Sequence, residues 1–246
     1  MARTKRLKRE YLSSELNIGG RAAPVRLVVN PRAKRLIVKV DQATGCVAVT
    51  APSKRCVPEA LEFARSRADW IAEQLQNAPE RIPFIPGAEI PFRGKPHIIR
   101  LADEKRWAVR RVHGAPPRIV VGGAEEHAPR RVEDWLKRQA RATLLERTET
   151  YAAAVGRKTT RVSVRDTRTR WGSCSSTGAL SFSWRLILAP PFVLDYVAAH
   201  ECAHLARMDH SPKFWAVVKE LVGDAEPAKA WLRLHGPQLH AYGGAK

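Results

Sequence analysis

The sequence predicts an α+β fold, with a β-rich amino-terminal region over residues 1–125 and a helix-dominated region over residues 126–246. Three observations lead there. Short segments of strand composition, separated by turn signals, crowd the first half. A turn-rich break, "GGAEEHAPRR", separates them from a long helical pattern. Between Pro191 and Arg207 the chain then turns apolar on every side, as expected of a helix buried in a core.

In chain order, "VRLVVN", "RLIVKV" and "CVAVTA" read as strands divided by Asn30-Pro31 and Thr44-Gly45, which suggests a meander. Pro58 opens "PEALEFARSRADWIAEQLQ", where Leu61, Ala64, Ala68, Ile71 and Leu75 recur at helical spacing and predict one helix covering that sheet. Pro79, Pro83, Pro86 and Pro91 confine the next stretch to loop and short strand. "KPHIIRL" and "RWAVRRV" are expected to form one hairpin, with "PRIVVGG" as a further strand. After the break comes a helix from about Arg130 to Ala154, with Val132, Trp135, Leu136, Ala140, Leu144 and Leu145 on one side. "TRVSVRD" and "ALSFSWRLIL" read as strands, and Gly172 and Gly178 as turns between them.

Composition bounds the function. With 246 residues, 44% of them hydrophobic, the chain can fill a substantial core. No run approaches the roughly 18 apolar residues of a membrane span, and "MARTKRLKRE" lacks the apolar stretch of a signal peptide, so no membrane partner and a cytoplasmic location are expected. Cys46, Cys56, Cys174 and Cys202 form no CxxC pair, which argues against both a cysteine zinc cage and a disulfide framework. The net charge is +19, yet from Leu186 onward six basic and six acidic residues cancel. The entire excess lies before residue 186, with candidate patches at Arg3 to Arg9 and at Arg157, Lys158, Arg161, Arg165, Arg168 and Arg170. Any nucleic-acid contact belongs there, although a solvated basic surface is the simpler reading.

The chemistry concentrates in "HECAHLARMDH", residues 200 to 210. On a helix, positions i and i+4 share a face, so His200 and His204 project two imidazoles toward one point, as two ligands of one metal do. Glu201 is turned about 100° around the axis, beside such a metal rather than on it. A carboxylate on a buried helix is costly unless compensated, and a cation with a water-filled cleft compensates it. Ser211 and Pro212 begin a new helix, which leaves His210 on the connection where the chain can return to the metal. Glu220 and Glu226 are the rival third ligands. Three histidines with an open fourth position make a catalytic zinc (Zn2+) site, since structural zinc sites are closed by four protein ligands.

The run "RWGSCSSTGALSFSWRLILAPPFVLDYVAAHECAHLARMDHSPKFW" resembles the YgjP-like metallopeptidase family, related to the SprT and WLM zinc proteases. "VRLVVNPRAKRLIVKV", "ARSRADWI" and "IPFRGKPHIIRL" look like that family's amino-terminal region. The resemblance implies a zincin-like catalytic domain with zinc on His200, His204 and His210, Glu201 as general base, and a protein or peptide as substrate. Three departures stand out. Cys202 replaces the usual leucine and reads as a small core hydrophobe. Asp209 replaces the asparagine of the turn, and Ser183 replaces an asparagine on the strand expected to run along the substrate. Arg170, Arg185, His235 and Tyr242 are candidates, by residue type alone, for stabilising the oxyanion. Trp184 is a candidate to line a substrate pocket and Asp195 to orient a ligand imidazole. Two alternatives share the metal or the fold: a zinc-dependent phosphohydrolase acting on nucleotides, and a DNA-associated SprT-like protease.

Overall fold

A computed structural model describes residues 10–18, 21–41, 45–76, 80–102, 109–167 and 169–243. The chain is α+β, with six α-helices and three small sheets among the described residues. It divides into two compact units after Glu80.

The first unit holds strands β1 (Glu10–Ile18), β2 (Arg21–Val29), β3 (Ile37–Asp41) and β4 (Cys46–Ala51), followed by helices α1 (Val57–Arg65) and α2 (Ala68–Gln76). Strand order is β1-β2-β4-β3, with β2 and β4 parallel, so the expected meander is not formed. Strict alternation in β4 sends Val47, Val49 and Ala51 inward against Ala60, Ala64 and Ile71 of the two helices. The single helix expected after Pro58 is broken at Ser66 and Arg67. The Ser66 hydroxyl donates to the Phe63 carbonyl there and closes the first segment.

The second unit opens with β5 (Glu89–Phe92), β6 (Lys95–Leu101), β7 (Val109–Val112) and β8 (Arg118–Val121), in the order β5-β6-β8-β7. The hairpin expected between β6 and β7 is absent. Strand β8 inserts between them, parallel to β6 and antiparallel to β7. Ile90, Phe92, Ile99, Ile119 and Val121 join one core with Val132, Trp135, Leu136, Ala140 and Leu144 of α3 (Ala128–Ala154). This shared core explains why the units divide at residue 80 and not at the expected 125: the second sheet has no core apart from α3.

Next come β9 (Arg161–Arg165), β10 (Gly172–Cys174) and β11 (Ala179–Ser183) in the order β10-β11-β9, then a 3-10 turn at Trp184–Ile187. Helices α4 (Pro191–Ala206), α5 (Pro212–Val222) and α6 (Glu226–Leu239) complete the chain. Apolar on nearly every side, α4 buries ten residues, packed against α3, α5, α6 and β10. No described helix is long and apolar enough to cross a membrane.

Candidate metal centre

The chain reversal after α4 builds the centre. The helix ends at Ala206, and Arg207 adopts extended backbone angles, with φ −142° and ψ 111°. That turn swings the Arg207 carbonyl back to accept from His204 Nδ1 at 3.0 Å. A carbonyl only accepts, so the ring proton sits on Nδ1 and the Nε2 lone pair of His204 is left for a ligand. Asp209 fixes the rest of the turn: its Oδ1 accepts from the Ser211 amide at 3.3 Å and the Ser211 hydroxyl at 2.8 Å. These two bonds hold the Asp209 carboxyl below its usual range. An asparagine side-chain oxygen could accept the same pair, so aspartate at this position preserves the turn.

As a result, the ligand atoms of His200, His204 and His210 all lie within 4.8 Å of one another. The Nε2 atoms of His200 and His210 are 3.3 Å apart. Two nitrogens on a tetrahedral zinc at about 2.0–2.1 Å are separated by about 3.3–3.4 Å, so this donor set fits such an ion. Phe214 floors the centre, its ring stacked on His204 at 4.4 Å and within 5.0 Å of both His200 and His210. Burial, then the other two imidazoles, pushes His200 down to about 4, which keeps it neutral and able to bind metal at ordinary pH. Glu220 and Glu226 are not in the group; Glu226 is tied to Arg233 at 2.9 Å.

Glu201 is 6% exposed. Burial pushes its carboxyl up to about 7, opposed by the Arg170 charge and by a hydrogen bond from the Cys174 amide of β10. The space for this carboxylate comes from Gly172. A Cβ there would lie 2.6 Å from both Cγ and Oε1 of Glu201. Read in sequence as a turn, Gly172 is instead the first residue of the edge strand β10. A glycine inside a strand marks a close backbone approach, as here.

The domain model of the YgjP-like metallopeptidases matches residues 34–235. The chain belongs to that family. A search of curated proteins finds no match. Among solved structures, the metallopeptidase zymogen of Pyrococcus abyssi abylysin is 18% identical, with a TM-score of 0.34, over 38% of this chain and 92% of that one. As a YgjP-like protein, the chain departs from the family pattern in places that the structure explains. Cys202 is fully buried, with its thiol against the Thr148 carbonyl of α3 at 3.7 Å, and burial pushes it up to about 12. It is a core residue. Ser183 is also fully buried and its side chain caps the 3-10 turn, so its replacement of asparagine affects packing; β11 is the central strand of its sheet, and β10 is the edge.

Other candidates are placed elsewhere. Trp184 is fully buried, edge-on to Phe84. Asp195 pairs with Arg147 at 2.9 Å, because five residues before His200 it faces α3 instead of the ligands. Arg185 is held by Asp166 at 2.6 Å and by the Tyr242 carbonyl at 3.3 Å, and His235 packs on Trp231 at 4.9 Å. Of the four oxyanion candidates, Arg170 is the one whose charge acts on Glu201. Sequence reasoning missed Tyr196, one turn before His200, whose ring lies 5.9 Å from that imidazole and whose hydroxyl is pushed up by burial and by Glu201.

Proposed function

We propose that this YgjP-like metallopeptidase is a zinc-dependent peptidase in which His200, His204 and His210 hold the metal and Glu201 is the general base. The observation that carries the reading is the convergence of three imidazole nitrogens, with the buried carboxyl of Glu201 next to His200 in the chain. A zinc ion on three imidazoles would supply a water of lowered pKa and a Lewis acid for the scissile carbonyl, within a zincin-like arrangement. Glu201 accepts the proton of the attacking water and returns it to the leaving amine. Its burial, which favours the protonated carboxyl, suits proton uptake from water. The Cys174 amide holds the carboxylate in place, and Gly172 leaves it room. Arg170 is the cation available to negative charge developing beside Glu201.

Polyanion contact is a second part of the proposal. On the solvent face of the β5–β8 sheet, Arg100 and Arg110 flank Val120 in one cross-strand row, and Arg118 lies in the next row. All three arginines are exposed.

Digestion of casein by the zinc-loaded protein, with metal content measured on the same sample, tests the catalytic reading. Glu201→Gln is expected to abolish cleavage while retaining zinc, and His210→Ala to lose zinc. Cleavage that survives Glu201→Gln with the metal in place removes Glu201 from the mechanism.

A further inference from the structure

Beside the histidine cluster, α5 and α6 diverge from their connecting turn and leave an open groove, with Trp215, Lys219 and Lys229 on its walls. Trp215 links the groove to the centre. Its ring centroid lies 5.7 Å from that of His200 and 6.1 Å from that of His210. The same ring carries the Lys229 ammonium 4.0 Å from its centroid, a cation–π contact. Lys229 belongs to α6, and its charge is among those acting on His200. Gly223, at φ 73°, makes the turn, and nothing lies within 4 Å of where its Cβ would be, so this end of the groove is open.

The groove is lined by two lysines, Lys219 and Lys229, and two acids, Asp224 and Glu226, and the acids are already engaged. Asp224 is committed to the backbone, accepting the Glu226 amide at 2.9 Å. Glu226 has two cations, Arg233 at 2.9 Å and Lys229 at the longer 3.5 Å, both of them helix-surface pairs. Exposed pairs of this kind are weak, and Glu226 keeps Arg233 if Lys229 turns to another anion. Lys219 adds a second cation on the α5 wall. A carboxylate entering here would meet the Lys229 ammonium over an indole face, in reach of a charge-assisted bond.

We infer that the α5–α6 groove is a subsite for a carboxylate of the substrate close to the scissile bond, and that Lys229 is its specificity-determining residue. The inference rests on the peptidase reading for the phrase "scissile bond" alone. The carboxylate is either an acidic side chain or a peptide carboxyl terminus.

Calorimetric titration of the zinc-loaded Glu201→Gln protein tests the subsite without any turnover. One arm uses end-blocked hexapeptides in which a single glutamate, or its isostere glutamine, is moved through each position. The other arm uses a neutral hexapeptide with a free or an amidated carboxyl terminus. At one position, or at the free terminus, the carboxylate is expected to tighten binding by about tenfold. Adding Lys229→Met should bring the ratio close to one, Lys229→Arg should keep it, and Lys229→Glu should reverse it. Equal affinity in both arms, binding of none of the peptides, or a preference that survives Lys229→Met each overturns the subsite. If the binding preference is found and the unmutated protein cleaves none of these peptides, the subsite stands and the peptidase reading fails.

Discussion

At the scale of the residue, the centre depends on an absent side chain as much as on those present. A methyl group on Gly172 would occupy the position of the Glu201 carboxylate, 2.6 Å from its Cγ. Gly172→Ala is therefore expected to displace the base and leave the imidazoles in place. Displacements of about 1 Å cost on the order of 100-fold in rate, so kcat should fall by about that factor with zinc content unchanged. Steady-state kinetics with metal analysis checks it, and an unchanged kcat would show that the carboxylate has room elsewhere. The convergence of His200 and His204 is legible in sequence because their spacing encodes one face of a helix. Tyr196 and Lys229 are not, because one titratable residue on an apolar or solvated face carries no pattern. For Lys229 the neighbour that matters, Trp215, belongs to a different element.

At the scale of the element, α4 and α5 act as one piece through Phe214. This residue is fully buried and touches all three imidazoles, so it serves the fold and the ligands together. Phe214→Ala should destabilise the metal-free protein by about 3–5 kcal/mol, measured by denaturant unfolding in chelator. Zinc affinity should weaken as well, because the rings lose the surface that fixes their orientation. A destabilised variant that binds zinc at full strength would separate the two roles. Both helices are legible in the sequence, where Pro191 and Pro212 open them and the apolar pattern runs between. Strand β10 is hidden inside a turn-rich stretch, since three residues offer no alternation to detect.

At the scale of the whole molecule, strand pairing is the least legible feature. Segments of strand composition stand out, but β2 with β4 and β6 with β8 pair in parallel across an intervening strand, and local sequence does not encode which neighbour a strand will choose. The boundary expected at residue 125 fails for a related reason: the break before α3 is a real turn, yet the core runs across it. The exposed arginines of the β5–β8 sheet support one prediction. Affinity for duplex DNA of arbitrary sequence should fall steeply with salt, and replacing Arg100, Arg110 and Arg118 by serine should flatten that dependence by roughly 0.9 for each phosphate no longer neutralised. Undetectable binding at low salt would leave the basic surface as a solvated one. Arg207, finally, ends α4 through its extended backbone and holds His204 through its carbonyl. The stretch from His204 to His210 therefore works as a ruler. Asp209 keeps the turn through its two bonds to Ser211, but one residue inserted or removed would move the third imidazole off the common point, so the count of residues matters here more than their identity.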